Sequence, residues 1–338
     1  VHFAVNLLIT IFMKNKFLIY IHTLISFLLI LLFFDHLPTY AQEKEPGAEV
    51  TIVILMTGNY KEYQEVLYGF EKMLQESDIK PNIIEIVKGL NDEISNKDLI
   101  DEIKRNNPHL IFIIGSRAST IIQDIKDIPI VFSTFRKPDI NYSEDQGTIN
   151  NNATGVTFSI PVIKQFSIYK KIIPKLNNLL VIYSSDENEH LIEEAQIAAS
   201  DLGFELISPK VSSEKAALRS VNNLISFIDA IWLIVDHEIN SKDAIRRISL
   251  EGFKNNIPVM APSTYFAELA AFVVSADYED IGRQSGDIAV KILQDGIHPS
   301  SIPVESPQKL NICINKNTMD AIGLAIPDSI GIHNIIIK

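Results

Sequence analysis

Few residues of this chain are placed to do covalent chemistry. His237-Glu238 lacks a second histidine four residues on, so the zinc-protease helix pattern is incomplete. No Gly-x-Ser-x-Gly turn presents a nucleophilic serine, and no Gly-x-Gly-x-x-Gly or Walker-type loop cradles a phosphate. The eight histidines are scattered along the chain. The single cysteine, Cys313, sits in the apolar run 310–314 and reads as a small core residue; one thiol rules out a disulfide framework. Trp232 lies in a strand-like run and also reads as core. This inventory does not describe an enzyme, and neither a cofactor nor a metal is expected.

What remains are hydroxyls, carboxylates and rings that follow apolar runs, the types that hold a ligand without altering it. Thr57, Asn59 and Tyr60 come after the first run; Tyr60 could stack on a ligand or pack on its own helix. Gly115-Ser116-Arg117-Ala118-Ser119 opens a helix, where free N–H groups and the positive helix end suit a carboxylate. Ser116 is equally a helix cap. Ser133 and Thr134 follow another run, where an ordinary turn is the alternative. Asn188 opens a later helix beside Glu187, Asp236 could bind or cap, and Ser263 and Thr264 occupy a similar place. Asp277 is a candidate for either a ligand contact or a hinge hydrogen bond.

These positions acquire meaning from the elements that carry them. Residues 50–56 are rich in β-branched side chains and stop at Gly58, as a buried parallel strand should. A helix over 60–76, a strand over 82–87, a helix over 96–106, a strand over 110–114, a helix over 116–124 and a strand over 128–132 follow. The polar stretch 136–152 separates this run from a second one. There we expect a strand at 153–158, a helix at 161–173, a strand at 179–183, a helix at 187–202 and a strand at 205–208. A helix at 213–227, a strand at 230–235, a helix at 241–255 and a strand at 257–261 complete it. Pro161 suits a first helical turn, and Val162, Phe166, Tyr169 and Ile173 form one apolar stripe. Such alternation builds α/β lobes with parallel sheets covered by helices on both faces. Open α/β sheets bind ligands beyond the carboxyl ends of their strands, so two facing lobes would line one cleft.

Composition narrows the partners. The chain has 338 residues, 46% hydrophobic and 21% charged, more than one core usually organises and too apolar to be disordered. A net charge of −12 argues against nucleic acid. Much of the apolar excess lies in residues 1–41, where Lys14 and Lys16 precede the run 17–34, then Pro38 and Thr39-Tyr40-Ala41. That is the order of a secretory signal peptide cut after Ala41. An uncleaved anchor is the alternative, since about 18 apolar residues approach spanning length. A start at Met13 would account for the residues before the lysines. No cysteine lies near the cut, so a lipoprotein is not expected. Removing 41 residues leaves 297 with a charge of −13, expected to be soluble and periplasmic or otherwise extracytoplasmic.

Several stretches carry a resemblance when taken in order: Gly115–Ser119, Ile128–Phe132, Asn152-Ala153-Thr154-Gly155-Val156, Ile257-Pro258-Val259, Asp277–Gln284, and Ile314-Asn315 followed by Gly323–Pro327. Over nearly all of the chain after the signal they resemble the ABC-transporter substrate-binding family that includes tryptophan-binding lipoproteins. The resemblance implies a type I periplasmic-binding-protein fold: two Rossmann-like lobes, a three-segment hinge and a small ligand between them. It implies residues 50–154 with 277–302 as the first lobe, and 155–276 with 303–338 as the second, after a linker at 42–49. Crossings are expected near Gly155, 275–278 and 302–307.

Ser116 and Ser119 then match the family's carboxylate clamp, and Asp236 its partner for a ligand ammonium. Where the family continues with Asp-Pro, this chain has Lys137-Pro138 after Arg136, which permits a more anionic ligand. The implied function is capture of an amino acid or related molecule by a monomer that delivers it to an ABC permease with a separate ATPase. A sensory protein of the same fold, signalling to a membrane kinase or receptor, is the alternative; permease or kinase gene neighbours would discriminate.

Overall fold

A strand buried on both faces needs an unbroken apolar run, and the chain supplies two that lie side by side. In β1 (Thr51–Met56) every residue after the first is buried, and in β3 (Leu110–Ile114) all five are. Their neighbours β2 (Asn82–Val87), β4 (Ile130–Thr134) and β5 (Ala153–Thr157) complete a parallel sheet of order β2-β1-β3-β4-β5. The computed structural model describes residues 50–88, 95–115, 124–134, 152–236, 238–261, 263–327 and 334–337. The signal-like segment, the linker and the helix expected at 116–124, save Asp124, lie outside the described residues.

The second sheet joins β6 (Asn178–Val181), β7 (Glu205–Ile207), β8 (Ala230–Trp232), β9 (Val259–Met260), β10 (Phe272–Ala276), β11 (Leu310–Ile314) and β12 (Asn334–Ile337). Its order is β12-β11-β10-β9-β8-β6-β7. Helices α1 (Lys61–Glu76) and α2 (Asn96–Lys104) follow strands of the first sheet. The second sheet carries α3 (Val162–Ile172), α4 (Glu189–Asp201), α5 (Glu214–Leu224), α6 (Lys242–Lys254) and α8 (Lys316–Ala321). Trp232 and Cys313 are both core residues, the indole lying edge-on to Phe166 at 5.0 Å.

Several expectations change. The strand expected at 230–235 ends at Trp232, with the Leu233 N–H giving a last bond to Met260 O at 2.9 Å, although Leu233 and Ile234 stay buried. The strand expected at 257–261 contracts to two residues, since Pro258 has no N–H and serves only as acceptor for Ile231. A short 3₁₀ turn, Asp186–Asn188, takes up what was expected as the first turn of α4. The second sheet is also not wholly parallel, because β10 and β11 run antiparallel. The reason is topological. The chain leaves β10 for the first sheet, runs through α7 (Tyr278–Leu293) and re-enters from the end at which it left.

That excursion docks α7 on α1 at backbone contact. A Cβ on Gly69 would run into the Glu279 carbonyl, one on Gly282 into the Val66 carbonyl, and one on Gly286 into Met73. Ile281, Ile288, Val66 and Phe70 are buried in the seam, and the Phe70 ring stacks on Phe112 at 4.0 Å. Lys72 pairs with Glu279 at 2.9 Å, and Arg283 Nη1 with Glu76 at 2.9 Å.

The chain therefore passes between the two sheets three times. After β5 it crosses at 158–161, and after β10 at Asp277. The third passage begins at Glu305, which exchanges hydrogen bonds of 2.9 Å with Gly155 and Thr157 of β5. It ends at Leu310, so residues 306–309 span the gap. Replacing Gly282 by Ala should destabilise the protein by about 1–3 kcal/mol, although Ala is the better helix former, because neither backbone can recede. Thermal unfolding measures this, and a more stable variant would contradict the backbone contact.

Candidate functional site

The carboxyl ends of the strands collect most of the candidate residues, each presented by a different local device. In the first lobe, Thr57 directly follows β1 and is buried. Its N–H donates to the Ile114 carbonyl at 3.0 Å, stitching the end of β1 to β3. Gly115 then turns with φ +112°, and a Cβ there would strike the Thr57 hydroxyl and the Tyr63 ring. Tyr60 precedes α1 and is 49% exposed, its ring edge-on to Tyr63 at 5.2 Å. From Tyr63 the rings continue to Phe158 at 6.2 Å and on to Tyr278 at 5.4 Å, linking this strand end to the hinge. Burial pushes the Tyr278 hydroxyl up to about 12.

Ser133 is placed differently from the expectation of a ligand contact beyond β4. It is fully buried, and its hydroxyl shares a 2.9 Å hydrogen bond with Ser285 of α7. Ser285 also donates to Ile281 O, so both hydroxyls are engaged inside the lobe. Thr134 ends β4 opposite Thr157. Its side chain, and Ser116 and Ser119 entirely, lie outside the described residues.

The second lobe brings two candidates into direct contact. Asp236 follows β8 by four residues and is only 4% exposed. Its Oδ2 accepts from Ser184 N at 2.7 Å and Asn188 Nδ2 at 3.0 Å. Its Oδ1 accepts from Ser184 Oγ at 2.6 Å and Glu238 N at 3.2 Å. Four donors fill the usual acceptor capacity of a carboxylate. Burial alone would raise its pKa, but the hydrogen bonds from Ser184, the Glu238 N–H and Asn188 together outweigh that and hold it below the ordinary value. The loop after β6 is thus pinned to the loop after β8. Lys210 adds a second hold, pairing with Asp186 and with Glu189 at 2.8 Å.

Ser263 precedes the 3₁₀ segment Thr264–Leu269, its carbonyl accepting from Phe266 N at 3.1 Å. Asp277 stands apart at the hinge, where its side chain caps α7 by accepting from Asp280 N at 3.1 Å. Sequence reasoning passed over Ser184, the main donor to Asp236, though it lies just beyond β6. It also passed over Tyr265 after β9, which is 72% exposed with Lys242 Nζ 5.4 Å from its ring centre. Position beyond a strand was the available signal for both. Among the described residues, no group of three His, Cys, Asp or Glu side chains could hold a metal ion.

The state of Asp236 has a consequence for acid stability. Its folded pKa is depressed below the unfolded value, about 3.9. The stabilisation it gives is therefore present above that value and lost as pH falls through the folded pKa. Asp236→Asn should lower Tm at pH 6, and the gap from wild type should narrow towards pH 3. Thermal melts across that range measure it; a gap that widens with acid would exclude an ionised, hydrogen-bonded Asp236.

Known proteins share this architecture. The family described as ABC transporter substrate binding protein matches residues 49–334. Among curated proteins none matches the chain. A ligand-free, open structure of CD0873, a substrate binding protein with adhesive properties from Clostridium difficile, superposes with a TM-score of 0.71 at 22% identity, covering 86% of this chain and all of that one. An ABC domain in complex with L-Trp from Streptococcus pneumonia gives 0.58 at 22% identity, over 86% of this chain and 100% of its own. A periplasmic ribose ABC transporter protein from Conexibacter woesei gives 0.54 at 14%, over 84% and 97%. At these identities the likeness establishes the fold, that of type I periplasmic binding proteins. The family and the fold are those of substrate-binding proteins, not of enzymes. With the match running over nearly the whole of both lobes, the chain belongs to the ABC transporter substrate binding protein family.

Proposed function

We propose that this substrate-binding protein captures a small amino-acid-like molecule between its lobes and delivers it to an ABC permease driven by a separate ATPase. The observation that carries the reading is Asp236, an ionised carboxylate held in place beyond β8 by Ser184, Asn188 and the Glu238 N–H. An incoming ammonium would take the place of the longest of these donors, the Glu238 N–H at 3.2 Å, while the other three keep the carboxylate aimed. A charge-assisted bond of this kind contributes roughly 1.5–3 kcal/mol. The serines at 116 and 119 would take the ligand carboxylate from the first lobe, and the exposed rings of Tyr60 and Tyr265 offer apolar faces for its side chain.

In this reading the lobes close on the ligand: Tyr60 follows a strand of the first sheet, Asp236 and Tyr265 follow strands of the second, and bending of the hinge would bring both sets onto one molecule. Work outside the cytoplasm is the rule for ABC substrate-binding proteins, and Lys14 to Ala41 read as the export signal that the reading requires. Among the described residues no helix is long and apolar enough to cross a membrane.

Calorimetric titration of the full chain with the common amino acids, each paired with its deaminated acid, tests the reading. A hit should lose roughly tenfold to a hundredfold in affinity on Asp236→Asn, while its deaminated partner is unaffected. If the variant weakens amine and deaminated acid in equal ratio, Asp236 does not meet an ammonium. If no amino acid binds the wild type, the ligand class is wrong.

A further inference from the structure

The three passages of the hinge are not held alike. The first two meet through rings, Phe158 against Tyr278 at 5.4 Å, and Asp277 is fastened as the cap of α7. The third, residues 306–309, is held by polar side chains reaching in from the lobes. Lys164 of α3 donates to Pro307 O at 3.1 Å from the second lobe. From the first lobe, Asp280 in the first turn of α7 takes Lys309 twice. Its Oδ1 pairs with Nζ at 2.8 Å and its Oδ2 accepts from the backbone N–H at 3.2 Å.

We propose that Asp280 and Lys309 are positioning residues of the hinge, their pair holding the third passage against α7 and thereby setting how far apart the lobes stand. Asp280 is built for the purpose. Its side chain is 11% exposed, and its Oδ2 also receives Gln284 Nε2 at 3.1 Å, which aims the carboxylate at the strap. It cannot follow the second lobe, because α7 is locked to α1 at Gly69 and Gly282. Lys309 cannot follow the first, because its neighbour Leu310 is the first residue of β11 and pairs with Ala276 of β10 in the second sheet. A bond between groups each fixed to a different lobe resists any rotation that separates them. The same bond raises the Lys309 pKa, as a hydrogen bond to the charged form should.

The inference concerns the regulation of the cleft in the proposed function, yet its test needs no ligand. Lys97 and Lys215, both exposed and one on each lobe, are replaced by cysteine in the full chain and spin-labelled; Cys313 is buried. Electron–electron distance measurements then report the separation of the lobes. Lys309→Met and Asp280→Asn should each shift the ratio of long and short distances by about threefold to tenfold, the lower figure reflecting the half-exposed lysine. Lys309→Arg should restore the wild-type ratio. A distribution for Lys309→Met that superposes on wild type overturns the proposal, as does a lower Tm with unchanged distances, which would mark the pair as merely structural. Shifted distances without any amino-acid hit would leave the tether standing and remove the ligand reading; a hit with unchanged distances would do the reverse.

Discussion

The backbone contact between α1 and α7 is the constraint on which the rest of this molecule depends. Helices usually pack 8–10 Å apart, with side chains filling the space between them. Here Gly69, Gly282 and Gly286 remove those side chains, and carbonyls of one helix meet Cα atoms of the other. The seam is closed by Phe70, Ile281 and Ile288 and edged by the Lys72–Glu279 and Arg283–Glu76 pairs. Because α7 lies more than 200 residues after α1, this contact pulls the late chain back onto the first sheet. The antiparallel β11, the passage through Asp277 and the strap at 306–309 all follow from that return.

A rigid first lobe gives the hinge something to act against. The second lobe is stiffened at its own strand ends, where Asp236 ties the loops after β6 and β8 together through Ser184 and Asn188. Three short passages join this lobe to the first. The aromatic row from Tyr60 through Tyr63 and Phe158 to Tyr278 runs from a strand end to the hinge within this arrangement.

Much of the fold was legible along the chain. Apolar runs such as 52–56 and 110–114 read as buried parallel strands because a strand covered on both faces has no polar side to alternate. The stripe Val162, Phe166, Tyr169 and Ile173 read as a helix because side chains at those intervals share a face, and all four are buried. The ends of elements were less legible: β9 begins only after Pro258, and β8 ends at Trp232, before the loop that carries Asp236. For the candidate site, position beyond a strand singled out Thr57 and Asp236, which do stand at strand ends, but position does not say what a side chain there meets. Ser133 obeys the rule by position and still gives its hydroxyl to Ser285.

The sequence by itself determined the α/β alternation, since that depends on residue types at short, regular spacing. Only the tertiary structure decided that Asn188 and Ser184 meet Asp236, that Ser133 faces α7, and that Asp280 holds Lys309. These are contacts between residues dozens to more than a hundred positions apart. No local period encodes them, because they arise only when packing two helices at their glycines, and returning the chain through the hinge, has brought distant segments to the same place.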